Sequence, residues 1–469
     1  MTAPAGLSLA RVTVAAPKRR MDLALPDTML VGELLPHLLR HAGEDLADEG
    51  ELNGGWVLRR ATGVALDASR NLVVQGVRDG ELLHLVHGRV DWPELAYDDV
   101  VEIIAAGARQ TGRAWGKAAT RRSGFAIAGA LFGLGLIALL LAGPPWLLPA
   151  AVGFALAGCL TAVGILLSRA FADATAGAVA AAAGLPYAFL GGALLVAPAD
   201  VPLTELGAPN LLLGSAALLV FSVLGHAGVA ALQRLFMAGI GTSVAGILAA
   251  LLCLGGASPA GSAGVTMTIA LGMLPAYPLL ASSMGRVPFP ELPTRPEEIL
   301  ADRPLRRRTD VFASVARATE LLTGLLLATA VISAAAMSVL LLTDPSLAAI
   351  VLTVAASAAL LLRARLFPSL TQRVPLIASG AAGLGLLGLG ISVQADSAGP
   401  RLLMLFAIVV AALLVLTAAL VYGRRAPSPY LGRLADIGDV VAIVALVPLS
   451  SAVLGVFRLI QGLFASIGG

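Results

Sequence analysis

From residue 124 onward, long apolar stretches alternate with short polar joints. A helix that crosses a bilayer core about 30 Å thick needs about 20 mostly apolar residues. Eleven stretches qualify, at about 124–142, 146–167, 174–196, 211–232, 235–256, 265–280, 320–342, 347–362, 375–393, 402–422 and 439–464. The sixth and eighth are short, and their ends extend naturally through Ala281-Ser282-Ser283 and through Phe367. Charge divides the chain at the same place. Residues 1–123 carry 15 basic and 16 acidic side chains, whereas the other 346 residues carry only 17 and 13. The first quarter therefore has the composition of a water-soluble domain and the remainder that of a polytopic, all-α membrane domain. A soluble enzyme, a fibrous protein and a disordered chain are excluded.

Within residues 1–123, Leu7 to Val14 reads as a strand and Pro17-Lys18-Arg19-Arg20 as a turn. Met21 to Leu25 is a second strand. Leu30, Leu34, Leu35, Leu38 and Leu39 recur at helical spacing, with Gly43 as a stop. Trp56 to Arg60 and Glu81 to His87 are further strands, and Leu66 and Leu72 to Val74 are short extended pieces. On the last strand Leu83 and Leu85 share one face, opposite Leu82, His84 and Val86. The order β-β-α-β-β resembles a ubiquitin-like β-grasp (α+β) domain over residues 1–90. The last strand runs on through Gly88 and Arg89, so the domain is a fixed module rather than a conjugated modifier. His37, His41, His84 and His87 are read as ordinary surface or packed residues, not as a metal site.

Residues 91–123 read as a linker helix. Asp98 and Asp99 stand at its start and Arg109, Arg113, Lys117, Arg121 and Arg122 toward its end, which matches the helix dipole. Arg113, Lys117, Arg121 and Arg122 are candidate contacts for anionic membrane lipid, and Trp115 suits the headgroup layer. No apolar signal-peptide run opens the chain, so residues 1–123 are expected to stay on the cytoplasmic side. With that side inside, the inner loops hold 15 arginines and the outer loops only Arg401. This supports a cytoplasmic N-terminus, eleven spans and a periplasmic C-terminus. The Pro-rich inner loop 282–317 carries Arg306-Arg307-Arg308, a candidate docking motif for a cytoplasmic partner.

Few side chains in the spans carry chemistry. Arg458, about two turns from the outer end of the last span, is expected to snorkel or pair, and His226 is a weak proton-relay candidate. Asp436, Asp439 and Glu320 are placed at inner helix ends, where dipole and interface account for them. Cys159 and Cys253 read as small buried residues, and Pro186, Pro275, Pro278 and Pro448 as kinks. Gly129-x-x-x-Gly133 is a helix-packing pattern, within the chain or between copies. Gly383 to Gly388 matches G-x-G-x-x-G literally, yet it lies inside a span and reads as helix packing. Around Gly116-Lys117 a phosphate loop fails, because Thr111 and Ala118 replace its first Gly and its Ser/Thr. No catalytic residue, cofactor site, metal site or nucleic-acid partner is expected.

Several short motifs carry a more specific resemblance. They are Arg11-Val12-Thr13-Val14, Asp22-Leu23-Ala24-Leu25-Pro26, Glu33-Leu34-Leu35-Pro36, Gly55-Trp56, Val77-Arg78-Asp79-Gly80-Glu81 and Tyr97-Asp98-Asp99-Val100-Val101. Together with a cytoplasmic ubiquitin-like domain fused to eleven spans, they resemble EccD, the membrane component of mycobacterial type VII (ESX) secretion systems. The resemblance implies a scaffold rather than an enzyme. It implies assembly in the inner membrane with EccB, EccE and the ATPase EccC, and pairing with a second copy. The motif residues Trp56, Asp98 and Asp99 become candidate partner contacts. The resemblance leans toward the ESX class tied to iron acquisition, which no residue shows. The alternative is a secondary transporter with a regulatory domain, which calls for an inverted repeat and a buried ionisable pair. No convincing repeat is visible.

Overall fold

Alternation of large aliphatic residues builds the first unit. The computed structural model describes residues 9–17, 19–43, 55–88, 115–288, 307–395, 397–424, 428–457 and 461. The chain divides into two units, Met1–Trp115 and Gly116–Gly469. In the first, β1 (Leu9–Ala15) pairs antiparallel with β2 (Arg20–Pro26), and α1 (Val31–Ala42) follows. β3 (Trp56–Arg60) pairs antiparallel with β4 (Glu81–His87), and β4 lies parallel to β1 with Leu83 opposite Val14. The sheet order is β2-β1-β4-β3, the β-grasp arrangement.

Val12, Val14, Leu58, Leu83 and Leu85 point inward and meet Val31, Leu34 and Leu38 of α1. Each such side chain contributes about 1.5–3 kcal/mol on burial. Gly43, at φ 154°, ends α1 where the glycine was read as a stop. The expected extended pieces are smaller than strands. Ala65 makes one bridge to Arg59 and Asn71 one to Leu30, and residues 71–76 form turns that bury Leu72.

The second unit contains eleven helical segments long and apolar enough to cross a membrane, among the described residues. Most boundaries follow local signals. The helices are α2 (Lys117–Leu141), α3 (Leu147–Arg169), α4 (Ala174–Leu195), α5 (Ala208–Gly228) and α6 (Gln233–Leu254). The sixth span is broken into α7 (Pro259–Gly272), a tight turn over Leu274–Ala276 and α8 (Tyr277–Met284). Then come α9 (Arg308–Thr343), α10 (Leu347–Ala364), α11 (Leu370–Gln394), α12 (Ala398–Tyr422) and α13 (Pro429–Leu454). Asp173, Ser258, Ser346 and Ser428 each cap the helix that follows them through a side-chain oxygen. Pro275 and Pro278 fall at the break, whereas α4 and α13 continue through Pro186 and Pro448.

Three expected boundaries move. The last span begins about ten residues earlier than its hydropathy suggested. Ser428-Pro429 starts it, and Gly455, at φ 87°, interrupts it before the helical residues 456 and 457. The inner loop read as 282–317 is shorter, because α8 runs to Met284 and α9 begins at Arg308. The first span begins at Lys117, so its basic residues lie at the N-terminal end of a spanning helix and not at the C-terminal end of a strut. The rest of the linker, 91–114, lies outside the described residues.

Small residues set the helix packing. A Cβ added to Gly177 of α4 would stand 2.4 Å from the Gly164 carbonyl oxygen of α3, so those backbones touch. α9 is the hub of the second half, packed against α6, α7, α8 and α11. Around it Met267, Leu271, Leu326, Met337, Leu340, Leu352 and Leu360 form the largest apolar cluster. At the other extreme α12 has no buried residue, and α2 buries only Leu139.

Candidate functional site

Charged side chains in the second unit collect at helix ends, and half of the described arginines there meet an acid or a carbonyl. Arg234, at the start of α6, reaches Glu320 of α9 at 3.1 Å. Arg363, near the end of α10, lies 3.2 Å from Asp439 of α13, with both side chains under 15% exposed (14% and 13%). Arg365 pairs with Asp436 and also donates to the Gly432 carbonyl at 3.3 Å. Arg373 donates to the carbonyls of Phe367 and Arg365. Arg169 donates to the carbonyls of Ala227 and Gly228, both at 2.9 Å, and so closes the end of α5.

These pairs correct the reading of Asp436, Asp439 and Glu320 as residues explained by dipole and interface alone. Each has an arginine partner on another helix. A buried charge is tolerable when paired, which is how Asp439 sits ten residues into a spanning helix. The pairs join residues 71 to 86 positions apart, so no local pattern announces them.

The predicted site residues separate. Trp56 is 6% exposed, part of the β-grasp core, with its ring 4.1 Å from that of His87. It thus serves the packing of the first unit. Arg121 pairs with Asp173 and lies over the Phe125 ring, so a protein acid already holds the charge assigned to lipid. Lys117 and Arg122 are exposed in the first turns of α2. His226 lies in the last turn of α5, and its Nδ1 is buried with no hydrogen-bond partner among the described residues. Arg308 lies over the Phe312 ring at 5.0 Å. Arg307 immediately precedes α9 and, with Arg286, Pro288, Asp310, Val311, Ser314 and Arg317, lines a cavity of about 460 Å³. Asp98, Asp99, Arg113, Arg306 and Arg458 lie outside the described residues.

Three of the motifs behind the resemblance, at Arg11–Val14, Asp22–Pro26 and Val77–Glu81, help hold the first unit together. Asp79 accepts from the Arg11 amide at 2.7 Å, and the Gly80 amide donates back to the Arg11 carbonyl at 2.6 Å. Thr13 donates to Asp22 at 2.6 Å across β1 and β2. Asp67 is the clearest perturbed acid outside the spans. Hydrogen bonds from the Ser69 hydroxyl and amide hold its carboxyl below the usual carboxylate range and shape a turn.

Two packing motifs have opposite outcomes. A Cβ on Gly383 would stand 2.3 Å from the Met337 sulfur, so the nucleotide-like pattern is indeed helix packing. Gly129 and Gly133 have open space beside them, so of the two uses read for that pattern, packing within the chain is not the one seen. Cys159 is exposed and Cys253 half-buried, with its sulfur 2.8 Å from the Ser262 hydroxyl, so neither is the fully buried residue expected.

Comparison with known proteins covers both units. A family model described as the EccD-like transmembrane domain matches residues 120–463. A second, described as YukD of the WXG100 protein secretion system, matches residues 9–85. The ESX-4 secretion system protein eccD4 of Mycobacterium tuberculosis, in strains CDC 1551 / Oshkosh and H37Rv, is 30% identical over 174 residues. That match spans 37% of this chain and a third (33%) of the length of those curated relatives. Among solved structures, protomer 1 of the ESX-3 core complex has a TM-score of 0.58 at 22% identity, covering 96% of this chain and all (100%) of that one. The MycP5-free ESX-5 inner membrane complex in State II has a TM-score of 0.55 at 19% identity, covering 90% and 100%. At those identities the two structures speak for the fold.

Proposed function

This chain belongs to the family of EccD-like transmembrane proteins, and on that premise we propose that it is a non-enzymatic structural subunit of a type VII (ESX) secretion complex in the bacterial inner membrane. One observation carries the reading: a β-grasp unit matching a secretion-system protein is fused to a helical unit matching the EccD-like domain over most of its length. In this reading the helices frame the membrane part of the machine. A partner ATPase of the EccC kind supplies the energy. EccB, EccE and a second copy of this chain complete the assembly. The N-terminus is cytoplasmic and the C-terminus periplasmic, in keeping with the arginines gathered at one set of helix ends. The relatives span ESX-3, ESX-4 and ESX-5, so likeness alone favours no class, and the iron-acquisition class stays a proposal.

The transporter reading gains one observation, the largely buried Arg363–Asp439 pair. That pair lies at the end of α10, where it ties α10 to α13, and not at mid-membrane. The scaffold reading predicts that the full chain, extracted gently in detergent, co-purifies with an ATPase and further membrane subunits. Recovery as a self-sufficient monomer that moves a small solute in liposomes overturns it.

A further inference from the structure

We infer that the cavity between the end of α8 and the first turns of α9 holds the phosphate of an anionic phospholipid headgroup. The inference rests on the membrane-spanning character of the chain and not on its place in a secretion complex.

The cavity is built by a close approach. A Cβ on Gly285 would lie 2.7 Å from the Ala318 Cβ and 2.9 Å from its Cα, so only glycine lets the end of α8 press against α9. Arg286, next in sequence, has a left-handed backbone (φ 54°) that turns the chain away from α8. Arg286 and Arg317 therefore flank the Gly285–Ala318 contact from the two sides. On α9 the lining residues 307, 310, 311, 314 and 317 recur at helical spacing and share one face. Ser314 is buried beneath them, and the space is about 460 Å³.

Charge makes the cavity selective. Among the described residues that line it, three are arginines and one, Asp310, is acidic. Arg121, Arg234, Arg363 and Arg365 each pair with an acid. Arg286, Arg307 and Arg317 have no ion-pair partner among the described residues. The start of α9 has no side-chain cap, so its amides add a second attraction for an anion. Guanidinium groups match phosphate oxygens in pairs of hydrogen bonds.

Depth selects lipid over a soluble phosphate. The apolar run Leu321 to Leu342 spans about 33 Å as helix, enough to fill the bilayer core. Arg317 is one turn outside that run, at headgroup level. Phe312 and Val315, on the same turns, are 57% and 45% exposed, and Arg308 covers the Phe312 ring. Exposed apolar side chains interleaved with cations suit a lipid surface.

The test uses the full chain in nanodiscs of phosphatidylcholine with one-fifth phosphatidylglycerol. Retained lipids are counted by native mass spectrometry for the wild type, for R286Q/R307Q/R317Q and for the control R424Q/R433Q. The wild type and the control are expected to retain phosphatidylglycerol over phosphatidylcholine by about tenfold, the scale of one to two surface charges acting on anionic lipid. The triple variant is expected to fall toward no preference. Should it fail to fold, R307Q alone, at the exposed start of α9, carries the test with a drop of about fivefold. Unchanged retention in the variant overturns the inference, and so does an equal loss in the control. Calorimetric binding of inorganic phosphate without lipid preference assigns the cavity to a soluble anion and overturns it. Shielding of the three arginines from chemical labelling only when protein partners co-purify overturns it in favour of a protein contact.

Discussion

The two units solve the same problem with opposite materials. The β-grasp core is filled by large side chains, with Leu58, Leu72 and Leu83 fully buried (0% exposed). In α3 and α4 the buried positions are mostly alanines and glycines, among them Ala150, Ala157, Ala178, Ala181 and Ala188 (0%). In water, removing apolar area drives packing, and bulk is rewarded. In lipid that drive is absent, so helices gain by coming close, and smallness is rewarded. In the second unit leucine serves both ways: Leu326, Leu340 and Leu352 are buried around α9, whereas the leucines of α12 stand outside. Leu402, Leu403 and Leu414 of α12 are all more than 60% exposed (63%, 70% and 64%).

Substitutions that exchange the two materials test the contrast. The largest effect is expected for Gly177→Leu, which drives a side chain into the Gly164 carbonyl. Because overpacking alone costs about 1–3 kcal/mol and here the obstacle is backbone, folded material is expected to be lost from size-exclusion chromatography in detergent. Gly129→Leu, with open space beside it, is expected to leave the elution profile unchanged. Next, Leu58→Ala is expected to destabilise residues 1–90 by about 2–5 kcal/mol in urea unfolding, because bulk is what that core uses. An isolated 1–90 fragment with no cooperative transition would break the comparison itself. The smallest effect is expected for Asp439→Asn. It leaves Arg363 half-satisfied near the membrane edge, where water screens part of the cost, and lowers the thermal midpoint by an amount equivalent to about 1–3 kcal/mol.

Local features were legible where one rule dominated. Strand alternation around Val12, Val14, Leu83 and Leu85 located the sheet, and the stop at Gly43 located the end of α1. Eleven apolar stretches became eleven helical segments. What was not legible depended on partners distant in sequence. Asp436 and Asp439 made the start of the last span look polar, because Arg365 and Arg363, which neutralise them, lie more than 70 positions away (71 and 76). Trp56 was legible as part of a motif, but not its ring filling the sheet's edge beside His87. The glycine pattern visible within one helix, Gly129 and Gly133, is open. The pair that touches, Gly164 and Gly177, belongs to two helices and has no spacing to recognise. The basic groove was half visible: Arg307 belonged to a noticed cluster, but Arg286 and Arg317 join it only through the Gly285–Ala318 contact.

α9 runs 36 residues without proline from Arg308 to Thr343. At 1.5 Å per residue it is a rod of about 54 Å, against a bilayer core of about 30 Å. Roughly 18 Å of it, Arg308 to Glu320, extends beyond the apolar run as an unhinged lever arm. Its fulcrum is the part packed against α6, α7, α8 and α11. A ten-degree rocking of the buried part sweeps the tip through about 3 Å, enough to break a hydrogen bond there. Whatever grips the tip can thus feel, or impose, a change in how the central helices lean.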